Sequence, residues 1–377
     1  MPDTPATTVD TTATKVDAVL LVGFGGPEGP DDVLPFMKNV TDGRGIPDER
    51  LVEVSQHYYD RGGISPIQEQ CRELRAALEA DLHGAGHDLR VYWGNRNWDP
   101  YLADTIAQMR DDGVRHAVAV LTSAYSSYSG CRQYREDVER ARAVVGDDAP
   151  TFEKVRAYYN HPGFVGPQAG YIHDALATLS DDVRADARIV FTTHSIPHTM
   201  SRHSDYEAQT REACRITMEQ LAGHTRGTHS WDLVYNSRSG PAFVPWLTPD
   251  VNDHIAALAA GGTPAVVVVP IGFISDHMEV VYDLDTEAAA TAEAAGIEFA
   301  RAATVGVDPA FVTGLRQLVE EHLADTPALT LGTRGANWTE CPVDCCLTPG
   351  TEPAPTIASA SARGRPGGRP GGRPHTR

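Results

Sequence analysis

Residues 17–24 read DAVLLVGF and residues 188–195 read RIVFTTHS. Each is a nearly unbroken apolar run. A strand with water on one face alternates apolar and polar side chains, whereas these runs do not, so both of their faces must be covered, as in a parallel sheet. Six further runs share this character. RVYWGN (90–95), HAVAVLTSAY (116–125) and FEKVRAYY (152–159) follow the first, while WDLVYNS (231–237), AVVVVPIGFI (265–274) and IEFARAAT (297–304) follow the second. Amphipathic helical segments such as CRELRAALEADL (71–82) and PYLADTIAQMRDD (100–112) separate most of them. Strand and helix alternating in two sets of four predict an α/β protein with two similar doubly wound, Rossmann-like domains. Each has a parallel sheet and its own core, and a ligand cleft lies between them. The expected boundaries are a disordered N-terminus over 1–16, domains over 17–162 and 163–330, a cysteine-containing segment over 331–348 and a disordered Arg/Gly/Pro tail over 349–377.

Composition narrows the function classes. A length of 377 residues suits two domains of ordinary size, and 41% hydrophobic with 22% charged residues is globular composition. A net charge of -19 opposes binding to nucleic acid or anionic membranes. No apolar run is long enough to span a bilayer, and the polar, acidic start lacks the pattern of a secretory signal, so a soluble, cytoplasmic chain is expected. No coiled-coil or exposed-strand signal stands out, and a monomer is expected. The tail sets five arginines against Glu352 and has few apolar side chains to offset ordering entropy, which reads as disorder. RNA contact by the tail is the alternative.

Ligands of doubly wound sheets sit beyond the carboxyl ends of the strands. GFGGPEG (23–29) follows the first strand but does not match a dinucleotide loop, because Pro27 removes an N–H and the third glycine is misplaced. It reads as a tight turn that admits a flat ligand. His194 ends a buried strand just before Pro197; alone, such a histidine is commonly structural. Its company is SDHMEVVYDLDTE, in which Glu279, Asp283 and Glu287 recur at steps of four and share one helix face, drifting by about 40° per step unless a π-type bulge aligns them. Carboxylates so spaced repel, which disfavours a plain solvated face. A ladder passing cations or protons to a buried terminus is the functional reading. His277, two residues before Glu279, is expected to point elsewhere. No HExxH occurs among the 15 histidines.

Six cysteines in a cytoplasmic chain read as thiols or metal ligands. CPVDCC places Cys341, Cys345 and Cys346 together, and Cys131 in SSYSGCRQY is the candidate fourth ligand of an iron-sulfur cluster; zinc could use the same set. Cys71 and Cys214 fall in helical patterns as apolar filler.

Taken together, LLVGFGGPEGP, GRGIP, GGISPI, VYWGNRNWDP, SAYSSYSGCRQY, FTTHSIP, YNSRSGPAFVPWLTPDV and PIGFISDHMEVVYDLD resemble the ferrochelatase family from about Asp17 to about Val319. Their joint order is similar to that of its actinobacterial branch. The resemblance implies a chelatase-like fold and insertion of ferrous iron, a substrate, into coproporphyrin III, with downstream heme-pathway enzymes as partners. Protoporphyrin IX is the alternative substrate, and a heme or coproheme carrier the non-enzymatic alternative. It also implies that His194 faces the porphyrin centre with Glu279 as its carboxylate partner, that Asp283 and Glu287 form the acidic ladder, that Ser65 and Tyr134 contact porphyrin carboxylates, and that Cys131, Cys341, Cys345 and Cys346 hold a [2Fe-2S] cluster. Phe24 stands where many firmicute members have an iron-ligating tyrosine.

Metallation requires loss of two pyrrole protons, dehydration of iron and bending of the macrocycle. Neutral His194 is expected to accept a proton or hold iron transiently, and Glu279 to supply compensating charge, the two meeting over the macrocycle from separate halves of the molecule. Tyr92, Trp93, Trp98, Tyr125 and Tyr128 are candidate apolar walls, and Arg44 and Arg96 candidate propionate partners.

Overall fold

The computed structural model describes residues 15–360 except 44, 226–227, 241–242, 325 and 349. Residues 1–14 and 361–377, and Arg44, therefore lie outside the described residues.

Eight strands form two four-stranded parallel sheets. The first contains β1 (Ala18–Gly23), β2 (Arg90–Asn95), β3 (His116–Leu121) and β4 (Thr151–Lys154) in the order β2-β1-β3-β4. The second contains β5 (Arg188–His194), β6 (Trp231–Asn236), β7 (Ala265–Val269) and β8 (Glu298–Arg301) in the order β6-β5-β7-β8. The halves therefore repeat one topology. All residues of β1, β3 and β7 are buried, as strands covered on both faces must be. Several strands stop short of their apolar runs: β7 ends at Val269, before Pro270, which has no N–H to donate to the ladder.

The largest buried cluster joins the two halves, which corrects the expectation of separate cores. Each sheet has two faces. The outer faces close over small cores of their own, whereas the inner faces share the helices Ile67–Gly84, Pro162–Thr178 and Pro309–Leu323. Leu78 of the first helix, Phe164 of the second and Phe311 of the third are each 1% exposed or less in this shared layer. Cutting either phenylalanine to alanine would cost about 3–5 kcal/mol.

Residues 350–360 depart from the disorder expected of 349–377. Residues 350–360 lie against the first sheet's helix Gln133–Val145, with Ile357 and Ala360 buried and Ser359 bridged to Cys341. Fully buried Arg135 explains the difference, because it donates to the carbonyls of Ile357 and Ala358 and so supplies polar partners to a segment poor in apolar ones. No helix of the described residues is long and apolar enough to cross a membrane.

Candidate active site

The strand order reverses around β1 and β3 in one sheet and β5 and β7 in the other, and the candidate groups gather at these carboxyl ends. His194 ends β5 and is fixed from behind. The Thr193 hydroxyl lies 2.5 Å from that of Tyr206, which donates to the His194 carbonyl at 3.0 Å. Gly272 permits this closeness, since a Cβ there would sit 2.1 Å from Thr193 Oγ1. His194 Nδ1 is 2.5 Å from the Ser195 carbonyl oxygen. A carbonyl only accepts, so Nδ1 carries the hydrogen and Nε2 is free for chemistry.

Nε2 lies 3.6 Å from Oε1 of Glu279, in the short helix Met278–Tyr282. The two side chains keep 31% and 46% of their surface open. Both come from the second half, His194 from the end of β5 and Glu279 from the helix after β7, so the pair does not meet from separate halves. His277 also joins it, with Nδ1 3.9 Å from Glu279 Oε2. Its expected exclusion assumed a helix already running at 277; the backbone there is extended, with φ of -146°, and the helix starts one residue later.

The electrostatics follow from this cluster. Burial works against a charged His194, but the Glu279 carboxylate, the Ser195 carbonyl and Asp283 outweigh it and raise the pKa above the ordinary value. Burial likewise opposes the Glu279 charge, and His194 and His277 reverse that effect, bringing its carboxyl down to about 2. His277 is lowered, chiefly by burial.

From Glu279 the chain passes into a π-helix, Asp283–Ala288, whose wider turn brings residues at steps of four closer to one line, as a bulge was expected to do. Asp283 Oδ2 accepts from Asn236 Nδ2 at 3.1 Å and from the Ser237 hydroxyl. Burial pushes its carboxyl up to about 6 against those hydrogen bonds, with Glu279 adding to the rise. Glu279 and Glu287 are exposed, with Asp283 half-buried between them. Asn236 and Ser237 were not anticipated as site residues. Ser237 has φ of 59°, a strained conformation for a residue with a side chain, and sits in the YNSRSG motif that could have signalled it.

The first half contributes apolar surface. The Phe36 ring meets Phe24 at 6.3 Å and Tyr58 and Trp98 at 6.1 Å, all edge to face. Gly25, with φ of +91°, lets the loop after β1 press on Trp98, because a Cβ would fall 2.9 Å from its backbone nitrogen. The Tyr58 phenol is pushed up by burial and then by the charges of Glu279 and Asp283, which sets this wall beside the ladder. Of the expected wall residues, only Trp98 belongs to it. Tyr125 is buried with its hydroxyl on the Ile271 carbonyl at 2.8 Å, Tyr92 bonds Asp112, Tyr128 bonds Glu136 and Trp93 bonds Asn95. Helix residues Phe36 and Tyr58 replace them.

Ser65 and Tyr134 are 4% and 6% exposed. Ser65 backs the loop at Gly26, and Tyr134 lies under the Arg96 guanidinium, 4.6 Å from the ring centre. Arg96 is committed to an ion pair with Asp137, and its side chain is only 7% exposed. A separate cavity of about 460 Å³, bordered by Gln70, Asp276 and Asp308 among others, touches neither His194 nor Glu279.

Four cysteines converge elsewhere. Cys131, in the π-turn Tyr128–Arg132, lies close enough to Cys341 to perturb its titration, and Cys341 stands in the same relation to Cys345. The Sγ atoms of Cys345 and Cys346 are 3.7 Å apart. The neighbouring thiols of Cys131 and Cys345 hold Cys341 well below the ordinary thiol range. All six cysteines are free, and Cys71 and Cys214 are buried in helices as expected. Among the described residues, no three His, Cys, Asp or Glu side chains are grouped so as to hold a metal ion.

A family model for ferrochelatase matches residues 16–323. The chain belongs to the ferrochelatase family. Two relatives are coproporphyrin III ferrochelatases: that of Streptomyces coelicolor is 50% identical over 369 residues, covering 93% of this chain and 98% of its own, and that of Mycolicibacterium smegmatis is 50% identical over 314 residues, covering 82% and 91%. A ferrochelatase of Rhodopirellula baltica is 49% identical over 355 residues, covering 93% and 97%. Among solved structures, SirB from Bacillus subtilis with Fe3+ aligns with a TM-score of 0.51 at 11% identity, over 82% of this chain and 96% of that one, and shares the fold of the ferrochelatase chain.

Proposed function

We propose that the chain inserts ferrous iron into coproporphyrin III, releasing two protons and leaving iron coproporphyrin III. The observation that carries this reading is His194 Nε2 beside Glu279, open to solvent, with an aromatic wall close to the same carboxylates. The names of the actinobacterial relatives support the choice of porphyrin.

In this reading the macrocycle lies along Phe24, Tyr58 and Trp98, with buried Phe36 backing them. Neutral His194 accepts a pyrrole proton at Nε2, and Glu279 stabilises the imidazolium that forms. The raised pKa of His194 makes it a better base once neutral, but leaves more of it already protonated near pH 7. Asp283, at about 6, takes up and gives back protons near neutrality, and Glu287 exchanges them with water. The same oxygen donors would pass ferrous iron inward, because hard carboxylates hold it loosely enough to release it. Ser65 and Tyr134 would anchor porphyrin carboxylates after Gly26, packed on Ser65, and Arg96, stacked on Tyr134, move aside, since both residues are closed at rest.

Side-by-side turnover on coproporphyrin III and protoporphyrin IX under anaerobic ferrous iron tests the proposal. Coproporphyrin should be metallated faster, at catalytic rather than stoichiometric protein levels. Preference for protoporphyrin overturns the substrate choice, and product that never exceeds the protein added points to a carrier.

The cysteine group is proposed to hold a [2Fe-2S] cluster. Tetrahedral zinc would draw all four sulfurs about one point, whereas a two-iron cluster spreads them over two metals. The 3.7 Å between Cys345 and Cys346 is close to the edge, about 3.8 Å, of a tetrahedron with metal–sulfur bonds of ~2.3 Å. Free thiols suit the reducing cytoplasm, where the chain is proposed to work as a monomer.

A further inference from the structure

Two buried cations lie beside Cys131, Cys341 and Cys346 without a carboxylate. Lys154 is 2% exposed and Arg135 1%. Lys154 Nζ donates to the carbonyls of Val155 at 3.3 Å and Trp338 at 2.9 Å. Arg135 donates to the carbonyls of Ile357 and Ala358 at 3.0 and 3.2 Å and to the hydroxyls of Thr356 and Ser359 at 2.9 and 3.0 Å. Their neighbours are treated differently: Arg132 is paired with Glu136 at 2.7 Å and Arg156 with Glu321 at 2.9 Å. No ion pair involves Lys154 or Arg135 among the described residues. The charge of Lys154 acts on Cys131, Cys341 and Cys346, and that of Arg135 on Cys341 and Cys346. Lys154 and Cys131 also border one small cavity.

Carbonyls satisfy the hydrogens of a buried ammonium or guanidinium but leave its net charge unbalanced, which is costly. We propose that Lys154 and Arg135 are the counter-charges of the cysteine centre, positioned to neutralise an iron-sulfur cluster when one is bound. This inference rests on the cluster reading above. An oxidised two-iron, two-sulfide centre on four thiolates carries a net charge of about -2, which two fixed cations balance. Arg135 has a second task. The amide of Cys341 donates to the Ala358 carbonyl at 2.9 Å and that of Ala360 to the Cys341 carbonyl at 3.0 Å, so Arg135 ties down the segment that backs the cysteine loop.

The full-length protein, reconstituted anaerobically with ferrous iron and sulfide, provides the test. Dithionite delivers one electron, which reduces one ferric iron of the cluster to ferrous. In Lys154→Met the reduced, more negative centre loses a neighbouring positive charge. Its reduction equilibrium should shift about tenfold against the reduced form, a midpoint about 59 mV more negative. Meanwhile the cluster-free variant should melt no lower than cluster-free wild type, because an unbalanced buried charge has gone. Arg135→Lys, which keeps the charge, should leave the midpoint near the wild-type value. A full cluster in Lys154→Met with unchanged midpoint overturns the counter-charge role and leaves the cluster standing, and a lower melting temperature alongside it marks Lys154 as a packing residue. Wild-type protein that takes up no sulfide with its iron overturns both.

Discussion

The two sheets repeat one strand order, yet they bring opposite surfaces to the same place. The loop after β1 leads into Phe24 and Gly25 and meets Phe36, Tyr58 and Trp98. The ends of β5, β6 and β7 lead to His194, to Asn236 and Ser237, and to His277, Glu279 and Asp283. Shared topology thus decides where a ligand sits, while the residues at the strand ends decide what happens to it. Under the proposed function, the apolar face would hold the macrocycle and the titrating face would react with it.

That division is most severely tested at His194. His194→Ala should lower metallation by about 10³-fold, within the range of general acid–base contributions, while fluorescence quenching still reports porphyrin binding. Loss of binding along with turnover would dissolve the division of labour. Glu279→Gln comes next, with an expected loss of about 10²-fold. It should also show in the pH profile. Because the folded pKa of His194 is raised, wild-type activity should climb as pH rises above 6.5, and removing the Glu279 charge should move that climb to lower pH. A profile that stays in place would separate the carboxylate from the imidazole.

On the apolar side, Trp98→Ala should raise the KM for porphyrin about tenfold with little change in kcat, the pattern of binding lost equally from ground and transition states. A fall in kcat alone would assign the wall a part in the chemistry. The smallest effect concerns stability. Asp283 has a folded pKa of about 6 against an ordinary 3.8, so ionising it costs stability as pH rises between those values. Asp283→Asn should therefore stabilise the protein by up to about 2 kcal/mol at pH 8 and by nothing at pH 3, read from denaturant midpoints. Glu279 behaves inversely. Its pKa of about 2 lies below the ordinary 4.5, so its contribution is present above pH 4.5 and fades as pH falls towards 2.

The amino-acid sequence by itself determined the eight strands, their grouping in fours and the pairing of His194 with an acidic run, because apolar runs and steps of four are properties of local chain order. It also determined that Cys131 and the CPVDCC cysteines are chemically alike, though not that they touch. Only the tertiary structure decided which aromatics form the wall. Tyr92 and Tyr125 carry the same kind of ring as Tyr58, but whether a side chain faces the core or the site depends on the layer packed against it. It alone brought His277 to Glu279, through a helix that begins one residue later than periodicity suggests, and Ser237 to Asp283, through a strained turn. The ordered segment over 350–360 has the same origin. Its few apolar residues would not hold it, and the buried guanidinium of Arg135, more than 200 positions earlier in the chain, is what meets its carbonyls.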